Sequence, residues 1–157
     1  MKRAAALGTL LAVALALASA PPAAAAEPDV QKAERTVPFK PGLHKLDLTF
    51  GEVTIESVEI KAWPDAEDYA KAEKKPDDTK TMWIVFTYTS KAATDYKCKY
   101  AAAVLDPDGG KPWAEDDATR TLDKGKVADT NRFGMKMKTL QYKLAQKMKV
   151  SFEVWKK

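Results

Sequence analysis

The sequence predicts an all-β fold, an immunoglobulin-like antiparallel β-sandwich of about seven strands, with a small closed β-barrel as the alternative. Three observations carry this. Apolar residues recur at period two in several separate stretches, turn-forming residues stand between them, and no stretch sustains a long helical period. The sandwich is preferred because the expected strands differ in length and bend, whereas an up-and-down barrel uses evenly spaced hairpins.

Residues 1–26 are set aside first. Lys2 and Arg3 precede an uncharged stretch rich in Ala and Leu over 4–18, and Ala24-Ala25-Ala26 closes the segment, the layout of a secretory signal peptide. The apolar stretch is short of the roughly 20 residues that a membrane-spanning helix needs. The other small-residue site, Ala18-Ser19-Ala20, is followed by Pro21, which disfavours cutting there, so cleavage is expected after Ala26. No Cys lies near the end of the leader to carry a lipid, and the mature chain is expected to be soluble and extracytoplasmic, periplasmic or secreted. The whole chain carries 26 basic and 22 acidic residues; losing Lys2 and Arg3 leaves 24 against 22. A nearly neutral chain with interspersed signs argues against nucleic acid as a partner.

The domain division is then 1–26 leader, 27–43 extended lead-in with a short strand near 36–40, and 44–157 sandwich. The first strands follow from His44, where Leu46, Leu48 and Phe50 alternate with polar residues. The apolar parity slips at Gly51 to give Val53 and Ile55, and slips again after Ser57 to give Val58 and Ile60. Each slip calls for a bend or bulge if the apolar set is to stay in the core. Trp63-Pro64 ends the run, and the charged segment 65–79, which contains Pro76, reads as a mobile loop.

Residues 80–90 (KTMWIVFTYTS) give the strongest strand signal, with Met82, Ile84, Phe86 and Tyr88 on one face and Trp83 and Val85 among threonines on the other. Apolar residues on both faces make it a central strand. Tyr96, Cys98, Tyr100, Ala102 and Val104 line one side of the next strand, which ends in the turn Asp106-Pro107-Asp108-Gly109-Gly110. Residues 112–126 have room for one weak strand. Phe133, Met135 and Met137, and later Met148, Val150, Phe152 and Val154, mark two strands with one buried face; between them Leu140, Leu144 and their neighbours fit helix or strand equally.

The residues exclude most chemistry. His44 is the one imidazole and Cys98 the one thiol, so Cys98 has no internal disulfide partner. Ser57, Ser90 and Ser151 fall inside expected strands, with no Gly-x-Ser-x-Gly turn to present one as a nucleophile. One His and one Cys fall short of a structural zinc or blue-copper ligand set. Met135, Met137 and Met148 with His44 and Cys98 offer soft ligands for Cu(I), against the stronger reading of Met at period two as core filler. Asp106 and Asp108, with Glu115, Asp116 and Asp117 nearby, offer oxygens for calcium, against the stronger reading of a solvated turn. A carboxylate pair for glycoside hydrolysis would need a deep cleft, which a domain of this size is not expected to hold. No cofactor and no catalytic set is therefore expected. Trp63, Trp113 and Trp155 lie at strand ends or beside turns, as partner-binding candidates or as lids on the ends of the sandwich.

Several of these segments, in this order, resemble a known family. They are the leader, a strand of the type G-x-V-x-I-x-S-V-x-I (51–60), W-I-V-F-T-Y-T (83–89), a strand ending L-D-P-D-G-G-K-P-W (105–113) and K-V-S-F-E-V (149–154). From Gly51 onward the chain is similar to the bacterial secreted immunoglobulin-like domains of unknown function, whose name-giving relative is a mycobacterial immunoprotective extracellular protein. The resemblance implies an exported sandwich without established catalytic residues. The chain departs from it in the acidic 115–117 segment and in lacking a lipid-attachment cysteine. The functional expectation is a non-enzymatic extracytoplasmic module that binds a protein or an envelope component, with no membrane span and a monomeric or weakly self-associating state. The alternatives are a copper-handling protein using Met135, Met137 and His44, and a small-molecule carrier with a wide aromatic-lined cavity.

Overall fold

Alternating side chains become strands only where a second layer covers one face, and here each apolar stretch finds one. The computed structural model describes residues 29–157, so the expected leader at 1–26 lies outside the described residues. It contains eight strands: β1 (Gln31–Pro38), β2 (Gly42–Phe50), β3 (Val53–Lys61), β4 (Thr79–Ser90), β5 (Tyr96–Val104), β6 (Ala114–Leu122), β7 (Asp129–Lys138) and β8 (Lys147–Lys156). One helix, α1 (Ala66–Lys74), and a short 3₁₀ turn (Thr139–Lys143) complete it. The strands form two antiparallel sheets, ordered β1-β8-β5-β6 and β2-β3-β4-β7, so the fold is an open two-layer sandwich and not a closed barrel. At the side where β6 lies against β7, the order β8-β5-β6-β7 is a Greek key that spans both layers.

The parity slips resolve as expected. Gly51 takes φ +57° in the turn between β2 and β3, a left-handed conformation that favours glycine. The β3-β4 register then shifts between Ile55 and Ser57, so that Ile55, Val58 and Ile60 are all buried. β4 is central, between β3 and β7. Ile84, Phe86, Val104 and Phe152 are at most 1% exposed and belong to one continuous core.

Two expectations need correction. The stretch expected as an extended lead-in forms the full strand β1, paired with β8 from Gln31 to Pro38. Only Val37 of that strand is buried, too little apolar signal to mark eight residues. The stretch around Leu140, open between helix and strand in the sequence, is the 3₁₀ turn, anchored by buried Tyr142, whose hydroxyl donates to the Lys80 carbonyl at 3.0 Å.

The second correction is larger, because the expected loop at 65–79 is mostly helix α1. Asp65 Oδ1 accepts from the Asp68 amide at 2.9 Å and Asp68 Oδ2 accepts from the Asp65 amide at 3.1 Å, a reciprocal capping box. Ala72 is fully buried, and Lys143 Nζ lies 4.4 Å from the centre of the Tyr69 ring. Lys80 pairs with Asp68 at 2.6 Å, and Lys71 with Asp78 at 2.9 Å. The Lys80 ammonium holds the Asp68 carboxyl below the usual carboxylate range. A search for an apolar stripe overlooks a helix held by its cap and by ion pairs.

Asp65→Ala removes half of the capping box. It is expected to lower stability by about 1 kcal/mol, which is about 4 °C in melting temperature for a domain of this size. An unchanged melting temperature with unchanged helical circular dichroism would show that packing alone holds α1.

Candidate interaction face on the second sheet

β4 sends Met82, Ile84, Phe86 and Tyr88 into the core and Trp83, Val85 and Thr87 outward. Its neighbours in the sheet are strands and no further layer among the described residues covers this face, where Trp83 is 40% exposed. Pairing sets the surroundings: Lys61 and Gly134 flank Trp83 on β3 and β7, and the next row runs Leu43, Glu59, Val85, Arg132. Leu43 is 60% exposed.

Gly134 seats the indole. A Cβ there would lie 3.3 Å from Trp83 Cζ3 and 3.2 Å from Thr81 Cγ2, so the ring uses space that any other residue would claim. The Arg132 guanidinium sits 5.0 Å from the ring centre, a cation–π contact worth about 0.5–1 kcal/mol at an exposed site. Glu59 and Lys61 pair at 3.0 Å, whereas no carboxylate among the described residues pairs with Arg132. A depression of about 360 Å³ runs beside the ring between Glu59, Lys61, Thr87, Thr130 and Arg132. This arrangement suits non-covalent binding: a fixed aromatic surface, a free guanidinium and a rim of hydroxyls.

The three tryptophans singled out in the sequence do not share a patch. Trp63 packs 4.9 Å from Phe39 and edge-on to Tyr142 at 5.1 Å, which makes it a lid on one end of the core. Trp113 is half-buried against the core just before Ala114, which pairs with Val104. Trp155 is half-buried beside Lys97, at the other end of β5. The sequence puts Trp83 on the strand face opposite Met82 and Ile84 and assigns it no role. Its signal lay in the facing glycine, which only the β4-β7 register reveals.

The remaining candidates lie in the core, on an edge strand and in or beside one hairpin turn. Met135, Met137 and Met148 are at most 2% exposed, Met135 and Met137 in one sheet and Met148 in the other. His44 lies on edge strand β2, with Nε2 3.1 Å from the Lys40 carbonyl. Cys98 is fully buried, and burial pushes its thiol up to about 12. Asp106 Oδ1 accepts the Asp108 amide at 3.0 Å within its turn, and Asp117, across the β5-β6 hairpin, pairs with Lys99 at 3.2 Å. Among the described residues no three His, Cys, Asp or Glu side chains group as a metal site. The chain matches no known protein family and no curated protein.

The buried hydroxyls and thiol set the alkaline limit. Burial raises Tyr88 to about 12 and raises Tyr100 and Tyr142 as well, while unfolded tyrosine ionises near pH 10. Above its ordinary value each unfolded group loses a proton that the folded one keeps, so stability present at lower pH is lost from about pH 9 for Cys98 and from about pH 10 for Tyr88, up to about pH 12. Melting temperatures are expected to fall across that window, with Cys98 unreactive to a thiol reagent at pH 8 until denaturant is added. Labelling of the native protein at the rate of a free thiol would refute the sealed interior.

Proposed function

We propose that the chain is a non-enzymatic, extracytoplasmic immunoglobulin-like module that binds a protein or an envelope component through the outer face of the β2-β3-β4-β7 sheet. The observation that carries this reading is Trp83, seated on Gly134, stacked by Arg132 and 40% exposed. Trp and Arg are the side chains most often found as binding hot spots, because each brings contact area and a polar handle. The leader-like segment at 1–26 and the resemblance to exported immunoglobulin-like domains support the extracytoplasmic location. The buried state of Cys98 supports a role without nucleophilic chemistry.

The test immobilises the exported chain and passes separated envelope fractions over it: proteins, polysaccharide and lipid. Retention of a defined component is expected, reduced at least roughly tenfold by Trp83→Ala and unchanged by Trp155→Ala. Equal retention by both variants would move the binding surface elsewhere. A blank from every fraction at high protein concentration would remove the binding role.

A further inference from the structure

The Trp83 face restricts what its occupant can be. β4 is hydrogen-bonded on both sides, to β3 and to β7, so a peptide cannot add itself as a strand there and only side chains meet the ligand. Those side chains are mostly polar: Trp83 and Val85 are the apolar surface in a depression otherwise lined by Glu59, Lys61, Thr87, Thr130 and Arg132. A greasy ligand would leave the rim unsatisfied, since apolar ligands call for mostly apolar pockets.

A pyranose meets these terms. One face of the sugar presents C–H groups carrying slight positive charge, which the electron-rich face of an indole attracts. Its hydroxyls both donate and accept, matching threonines, Glu59 and Lys61 around the ring. With Gly134 under one edge and the guanidinium over the ring, the exposed two-fifths of Trp83 is what remains for contact.

Charge narrows the class further. Glu59 and Lys61 offset each other at 3.0 Å, leaving Arg132 as the one uncompensated charge in the depression. A guanidinium fork matches a carboxylate through two parallel hydrogen bonds. A single free cation suits one carboxylate per bound unit. An anionic membrane surface would instead call for a cluster of basic groups.

We propose that this face binds a carboxylated glycan, with a sugar ring on the open side of Trp83 and the carboxylate received by Arg132. The inference rests on the reading of this face as the binding surface and names the class of its ligand. The depression of about 360 Å³ lies near the lower end of the range for small-molecule sites, roughly 300–1,000 Å³, and is open, so it grips one or two units of a chain that continues past it.

The test is a nuclear magnetic resonance titration that follows the Trp83 indole N–H. The probes are oligogalacturonate, a hyaluronate hexasaccharide, soluble N-acetylglucosamine–N-acetylmuramic acid strands, and the uncharged N-acetylglucosamine hexamer. At least one carboxylated probe is expected to shift the signal saturably. Trp83→Ala is expected to weaken that binding, followed by calorimetry, at least roughly tenfold. Because Trp83→Ala also uncovers Gly134, Arg132→Gln serves as a second variant that leaves the ring seated. It is expected to weaken the carboxylated probe while leaving the uncharged hexamer unaffected. Silence from all carboxylated probes at millimolar concentration, or binding indifferent to both variants, would overturn the inference. If silence accompanies Trp83-dependent retention of an envelope protein, the interaction face stands and only the glycan falls.

Discussion

Three rings hold the two layers together. Phe86 from β4 lies almost flat on Tyr100 from β5, with centres 4.7 Å apart and planes 8° apart. Phe152 from β8 stands edge-on to both, at 5.2 Å from Phe86 and 5.9 Å from Tyr100. Each such side chain buries about 150–250 Å², so the clasp removes a large apolar area from water, and all three rings are at most 1% exposed. Both contact types, offset stacking and edge-to-face, are those that the charge distribution of aromatic rings favours.

The clasp brings hydroxyls into the interior, and the fold satisfies them. Asn131 on β7 donates to the Tyr100 hydroxyl at 3.1 Å and reaches the Thr121 carbonyl at 3.3 Å. Tyr88 donates to Asp129 at 3.0 Å and accepts from the Asp123 amide at 3.1 Å. These bonds fall where the chain passes from β6 to β7, the side at which the two sheets meet through those strands. An unpaired buried hydroxyl costs about 1–3 kcal/mol, so the polar ties are a condition of placing tyrosines there.

How much of this the sequence disclosed follows from how each element is held. β4, β5, β7 and β8 were legible because one buried face leaves a period of two, as in Tyr96, Cys98, Tyr100, Ala102 and Val104. The bulge in β3 was legible because Val58 and Ile60 are out of step with Ile55. Helix α1 was not, since its stability resides in Asp65, Asp68 and their lysine partners, and charged residues carry no burial signal. β1 escaped for a similar reason: it is an edge strand held by backbone pairing to β8, with one buried side chain. The interaction face was half legible. Trp83 stood on the strand face opposite Met82 and Ile84, but its exposure, its seat on Gly134 and its contact with Arg132 depend on a layering and a register that the residue order does not contain.

A double-mutant cycle on Phe86 and Tyr100 tests the clasp most directly, using Phe86→Leu, Tyr100→Leu and the pair, with stability measured by urea unfolding. If the stacked rings join the sheets as described, the two losses are non-additive, with a coupling of about 1 kcal/mol. Losses that add to within about 0.3 kcal/mol would mean that the rings act independently and that something other than this contact unites the two layers.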